Sequence, residues 1–456
     1  MAFEIVLLAS YELGHQPINL AWPQAFLERA GFTVNSYDLS VADFPSARIK
    51  QAELVAVSAP MHTALRLGVE TAKRVRLENP KAHIAFYGLY AYLNRYYLLG
   101  NAADSILSGE HEDALVSLAR ALETQLHIPL NGVTSIEHSS SPSLDRLDFP
   151  VPARASLPPL NDYAHYMHKG SHQLAGYTEA SRGCLHTCAH CPIVPVYQGR
   201  FFVVDMETVL ADIRQQVQAG AKHITFGDPD FLNAPTHAVR ITQALHNQFP
   251  GTTYSFTAKV EHISEHAGLL DGFASTGCTF IVCAFESTSD QVLSRLGKGH
   301  TREHMSSALE LARAAGISLN PTWMPFTPWT SLDDYLELLE WIREHELIAS
   351  VPAVQLSIRM LVPPESALLD HSDVSTWCGA LDAENFNYRW VHPDPRMDSL
   401  QLQIAALAEE HLESDPVWVF RQIEYLAYTA AGTPAPQWPN PAYKASTPKL
   451  TEHWYC

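Results

Sequence analysis

Three cysteines, Cys184, Cys188 and Cys191, fall within eight residues in the spacing C-x3-C-x2-C, inside "SRGCLHTCAHCPIVPVYQGRF". Thiolates this close together hold a thiophilic metal or an iron–sulfur cluster. A structural zinc site takes four ligands, and His186 or His190 could complete one. The chain has no second C-x2-C pair, however. Three cysteines in one loop suit three corners of a [4Fe–4S] cubane, whose fourth iron stays open to an outside ligand.

A loop of this kind needs a rigid support. From about residue 173, strands and helices alternate. "AGYTEASRG" is a strand that delivers the cysteines, and "HITFGD", "YSFTAK", "FIVCAFE", "SLNPTW" and "AVQLSIRM" are five more. "DMETVLADIRQQVQAG" reads as a helix with Asp205 as N-cap and Gly220 just past its end. In "TSLDDYLELLEWIREH", Leu332, Tyr335, Leu336, Leu339 and Ile342 form one apolar stripe. Six strand–helix repeats over 173–370 predict an open, partial (β/α)6 barrel, whose sites lie at the carboxyl ends of the strands. The cysteines follow the first strand, on that rim.

Ahead of this, residues 1–125 alternate "FEIVLLA", "FTVNSYDL", "AELVAVSAP" and "HIAFYG" with helical patterns, the signature of a doubly wound α/β domain. Residues 126–172, rich in proline and serine without a sustained period, read as a linker. After about 370 the pattern changes to a C-terminal cap (371–456), in which Trp377, Trp390, Trp418 and Trp438 are candidate packing residues.

Composition narrows the function. Apolar content of 46% and charged content of 17% over 456 residues are those of a globular chain. No run approaches the roughly 18 apolar residues of a membrane span. The start, "MAFEIVLLASYELG", reads as a strand and not a signal peptide, so a cytoplasmic location is expected. A net charge of −19 disfavours nucleic acid as substrate. Seven cysteines, three of them clustered, fit a metal or redox site better than a disulfide framework.

C-x3-C-x2-C after the first strand of a partial barrel resembles the radical S-adenosylmethionine (radical SAM) superfamily. The resemblance implies that the amino and carboxylate groups of SAM chelate the open iron, and that an electron from the cluster splits a carbon–sulfur bond. It also implies an electron donor such as flavodoxin or ferredoxin. By the same resemblance, His190 takes the place of the usual aromatic residue near adenine. Gly227 and Asp228 in "FGDPDF" stand where relatives bind the SAM amino group, and Lys259 in "FTAKVE" could hold its carboxylate. Glu286 in "CAFESTS" stands at the ribose or amino contact, and Arg359 in "SIRMLVPPES" at the sixth strand.

A doubly wound domain before such a barrel resembles the cobalamin-binding architecture, although the cobalt-ligating D-x-H-x-x-G motif is absent; "ELGHQP" is the nearest string. "CPIVPVYQGRF", "LVPPES", "FNYRWVHPDPRMD" and "LTEHWYC" resemble the CUAEP/CCAEP-tail radical SAM proteins, whose tails carry two adjacent cysteines or cysteine then selenocysteine. Cys456 stands at the first of those positions. This subgroup is similar to the arsinothricin-biosynthesis radical SAM enzymes, which implies transfer of the 3-amino-3-carboxypropyl group of SAM to arsenite held near Cys456, with Cys283 and Cys378 as helper thiols. The competing expectations are a cobalamin-dependent radical methyltransferase, hydrogen abstraction by a 5′-deoxyadenosyl radical, and a non-catalytic Fe–S or zinc module.

Overall fold

The computed structural model describes residues 3–126, 129–439 and 447–452. The strand Ile5–Ala9 (β1) is pure aliphatic and buried throughout, as a strand covered on both faces must be. It pairs in parallel with Val34–Asp38 (β2) and Leu54–Ser58 (β3); His83–Tyr87 (β4) and Ser105–Leu107 (β5) follow, and Val133–Thr134 (β6) closes the sheet antiparallel. The order is β2-β1-β3-β4-β5-β6. Alternate residues of β1 enter separate cores: Ile5, Leu7 and Ala9 on one face, Val6 and Leu8 on the other. The order reverses between β1 and β3, and the crevice beyond their carboxyl ends is where such sheets take ligands.

His165–His168 (β7) and Ser171–Thr178 (β8) form an antiparallel pair. The chain then makes the short strand Ser181–Gly183 (β9), which pairs with Phe201–Val203 (β10) and so staples both ends of the cysteine loop. His223–Phe226 (β11), Thr253–Ala258 (β12), Cys278–Glu286 (β13) and Ser318–Trp323 (β14) extend β8 in parallel. The result is a curled half-barrel sheet with helices outside it. Asp205 caps its helix through the Glu207 amide, and the Leu332–Glu344 helix starts in a capping box at Ser331.

The sixth strand does not form as the string "AVQLSIRM" predicts. Residues Ala353–Ser357 make a 3-10 helix, and the parallel pairing that remains is an isolated bridge between Phe326 and Arg359. The reason is visible at Gln355: its side-chain oxygen accepts the Trp323 amide at 3.0 Å, taking a bond that a neighbouring strand backbone would have made. A hairpin of Cys378–Asp382 (β15) and Asn387–Trp390 (β16) belongs to the C-terminal region. Trp377 and Trp390 pack with Met360, Val362 and Leu296. Trp418, in contrast, is 43% exposed and meets His411 edge to face at 4.8 Å between ring centroids.

The chain returns to the barrel as Lys449–Leu450 (β17), antiparallel to β7 and therefore parallel to β8. Pro448 O accepts from Asn320 Nδ2 of β14 at 3.0 Å, so the segment ties the two edges of the half-barrel together. Leu450 packs with Tyr166, Ala175, Phe280 and Val282. No helix among the described residues is long and apolar enough to cross a membrane.

Candidate functional site

The cysteine loop is fixed from both sides. Gly183, with φ of +74°, has a backbone no other residue adopts without strain, and a Cβ there would lie 2.4 Å from Arg200 O. The Cys184 amide donates to Arg200 O, the Cys191 amide to Cys188 O, and the Ala189 amide to Leu296 O at 2.9 Å. Cys184 and Cys188 are buried and Cys191 is half-buried. Burial pushes the Cys184 thiol up and the Cys191 thiol to about 12, with the neighbouring cysteine charges adding to both. Three thiolates this close together repel one another unless a metal neutralises them, and this donor set fits an iron–sulfur cubane.

Around the loop stand four charged groups. Glu286 ends β13 with φ of +67°, beside a register shift against β14. Its carboxylate lies 3.2 Å from Lys298 Nζ and 3.5 Å from His190 Nε2. Burial works against its ionisation, but Lys298 and His190 outweigh it and hold the carboxyl at about 2. Lys259 reaches Glu261 at 2.5 Å and His186 Nδ1 at 3.2 Å. The structure therefore brings His190, Lys259 and Glu286 to the cysteines. His190 Nδ1 and Asn233 Oδ1 are buried without a hydrogen-bond partner among the described residues, and Asn233 Nδ2 stands 3.6 Å from Cys184 Sγ. Unpaired polar atoms next to the cysteines fit a polar ligand such as SAM.

Three other expected SAM contacts are engaged elsewhere. Asp228 accepts from Ser181 Oγ at 2.5 Å and from the Ala180 amide at 3.0 Å. It is buried, which raises it to about 6 against those bonds, and it braces the turn into β9. Gly227 is required by a neighbour, since a Cβ would meet Tyr177 Oη at 1.9 Å. Arg359 pairs with Asp398 at 2.5 Å, donates to Trp390 O and stacks on the Trp390 ring at 3.5 Å, so it serves the C-terminal packing. Cys283 is buried in the barrel core and Cys378 is half-buried in β15. Cys456 lies outside the described residues.

Sequence reasoning missed a brace and a bridge. Asp230 accepts from the Leu232 and Lys259 amides and lies 2.8 Å from His262 Nδ1 and 3.3 Å from His186 Nε2. The ligand atoms of His186, Asp230 and His262 all fall within 4.8 Å of one another. Lys259 already brings positive charge to this group, which anchors His186 in mid-loop. Arg182 bridges to the first sheet through Glu112 at 2.6 Å, and Tyr197 Oη donates to Glu110 Oε1 at 2.8 Å. "SGEHED" directly after β5, and an arginine two residues before Cys184, were the available signals.

At the crevice of the six-stranded sheet, the chain's own side chains occupy the space. Tyr87 at the end of β4 is fully buried, donates to Asn19 O at 2.6 Å and lies against His111 at 4.8 Å between ring centroids. His15, the histidine of "ELGHQP", stacks on Tyr177 of β8 at 4.5 Å, and burial lowers it to about 4. A corrin bound at this edge of the sheet would have to displace both rings.

Residues 178–342 match the radical SAM superfamily. Over 201 residues the chain is 26% identical to a tRNA-2-methylthio-N(6)-dimethylallyladenosine synthase of Chlorobium limicola, covering 42% of this chain and 45% of that protein. Over 225 residues it is 22% identical to an uncharacterized methyltransferase of Pyrococcus horikoshii, covering 47% of each. The chain thus spans less than half the length of either. Among solved structures, the cobalamin-dependent SAM radical enzyme OxsB with aqua-cobalamin and SAM bound superposes with a TM-score of 0.73 at 16% identity, over 94% of this chain and 72% of that one. The radical SAM methyltransferase TsrM from Kitasatospora setae gives 0.70 at 13% identity, over 95% of this chain and 100% of that one. At these identities the likeness is one of fold.

Proposed function

We propose that this chain, whose residues 178–342 match the radical SAM superfamily, is a radical SAM enzyme that transfers the 3-amino-3-carboxypropyl group of SAM to arsenite. The [4Fe–4S] cluster, when bound to Cys184, Cys188 and Cys191, supplies the electron that opens the sulfonium. Breaking the bond between sulfur and the γ-carbon leaves methylthioadenosine and a carbon radical. That radical forms a carbon–arsenic bond, and the adduct gives one electron back, so the trivalent arsenic becomes pentavalent and the donor electron is recovered. His190, Lys259 and Glu286 orient SAM, and Cys456 is the arsenic-binding thiol, since soft centres prefer thiolates.

The observation that carries the reading is the course of β17. Leu450 is level with Tyr166, which is paired with Gln173, and the Thr451 amide bonds His165 O opposite Leu174. The tail travels parallel to β8, towards the rim that bears the cysteines. Thr178, at the end of β8, is four positions beyond Leu174, and Cys456 is five positions beyond Thr451 and four beyond Glu452. That length extends to about 13 Å.

A second reading, cobalamin-dependent radical methyl transfer, is favoured by the fold likeness over 94% and 95% of the chain. Tyr87 and His15 weigh against it, and we take the N-terminal sheet as a scaffold. One experiment separates the readings: anaerobic reconstitution, then SAM, reductant and arsenite, with identification of the nucleoside released. Arsenite-dependent methylthioadenosine is the expected product. S-adenosylhomocysteine together with 5′-deoxyadenosine assigns methylation, and 5′-deoxyadenosine alone assigns hydrogen abstraction. Tightly bound zinc without iron removes the enzymatic reading altogether.

A further inference from the structure

Lys298 has a position that neither packing nor solvation explains. Its side chain is only 3% exposed, although an ammonium seeks water. It sits on the turn that follows the Asp290–Arg295 helix, and this turn is bonded to the cysteine loop: Leu296 O accepts the Ala189 amide, between Cys188 and Cys191. The Lys298 amide returns to Leu293 O at 3.0 Å, which holds the side chain inward. A single carboxylate meets it, Glu286 Oε1 at 3.2 Å, and that carboxylate is shared with His190, the residue before Cys191. Burial opposes its charge, yet Glu286 and the sulfur of Cys188 hold the ammonium above its ordinary range, so it remains protonated.

We infer that Lys298 is a positioning residue that sets the reduction potential of the cluster, and that Glu286 is the counter-charge limiting its effect. The inference rests on the reading of Cys184, Cys188 and Cys191 as cluster ligands. Reduction adds negative charge to a cluster already carrying thiolates, and a buried cation on a turn bonded to the cysteine loop favours the reduced form. Net charge and hydrogen bonds around the sulfurs are what tune such potentials, and a low local dielectric strengthens the effect.

The test is an EPR-monitored redox titration of the reconstituted full chain without SAM, alongside iron analysis. K298Q should keep its iron and show a more negative midpoint than the wild type, and K298R should return most of the difference. E286Q, which leaves the ammonium and removes its counter-charge, should shift the midpoint in the positive direction. An iron-loaded K298Q with the wild-type midpoint, or a K298R as displaced as K298Q, overturns the inference. If K298Q does not retain iron, E286Q decides: a positive shift supports the assignment, and no shift or a negative one ends it. Wild-type protein that binds no iron would instead sink the cluster reading beneath it.

Discussion

Arg182 donates to Glu112 at 2.6 Å, and both side chains are buried at the junction of the two sheets. The arginine lies two residues before Cys184, the glutamate on the first turn after β5. Glu110 and Glu179 face the same guanidinium, with Glu179 at 3.5 Å. One buried cation thus serves three carboxyls, and they respond differently. Burial opposes ionisation of Glu112, but Arg182 wins and holds it low, whereas burial raises Glu110 and Glu179 to about 7. The strand that delivers the cysteines is therefore locked to the first sheet electrostatically.

Replacing Arg182 with Met should be among the most damaging single changes. Removing one partner of a buried pair leaves the other charge uncompensated, at a cost of about 3–5 kcal/mol. Chemical denaturation should report a loss of that size, and E112Q combined with R182M should recover part of it. Additive losses would show that the pair is not coupled.

The same network gives a pH dependence. Glu12, lifted to about 8 by burial, joins Glu110 and Glu179 in holding protons that the unfolded chain, with glutamates at about 4.5, has released. The native state binds more protons than the unfolded state between those values, so stability falls as pH rises. Their contribution is complete below about pH 4.5 and is lost on passing pH 7 to 8. Above about pH 6.5, where the buried histidines are neutral in both states, denaturation midpoints should decline up to pH 8.5, and E12Q, E110Q or E179Q should each flatten the slope. A slope unchanged in all three variants would refute the account.

Much of this architecture is legible in the sequence, because strands buried on both faces are written as aliphatic runs and helices as stripes with caps. The cysteine spacing is local, so it too can be read directly. What cannot be read are the relationships that only the fold creates. Gln355 stands where a strand residue would, yet bonds through its side chain. Asp228 carries the residue type expected of a ligand contact, but Ser181 and Ala180 use it first. Lys298 comes more than a hundred residues after Cys191, and nothing in "LGKGH" announces that its turn lies on the cysteine loop. Tyr87 occupies a crevice whose emptiness or fullness has no sequence period.

Gly227 separates packing from binding. Alanine there places a methyl on the Tyr177 ring and hydroxyl, a conflict no rotamer of alanine relieves. Overpacking of this kind costs about 1–3 kcal/mol. G227A should therefore be destabilised in the absence of any ligand, by thermal or chemical denaturation. If it has wild-type stability and loses only SAM affinity, measured by equilibrium dialysis, Gly227 is a binding residue after all.

The C-terminal strand offers the last test, since it both closes the half-barrel and points the chain towards the cysteines. Leu450 packs against the cluster of Tyr166, Ala175 and Phe280, in which Tyr166 also stacks on His223 at 4.0 Å. Replacing Leu450 with Asp puts a charge among these groups without a partner. Its desolvation should detach β17, at a cost of a few kcal/mol. Because β17 pairs with the edge strand β7, the remaining strands keep their partners, and the fold should survive by circular dichroism. Hydrogen exchange should then rise at the Thr451 amide, which bonds His165 O, and limited proteolysis should cleave after Lys449. Activity with SAM and arsenite should drop together with the tail's attachment, while iron content and SAM binding persist. An L450D protein with full arsenite-dependent turnover would mean that the tail has no part in presenting the substrate.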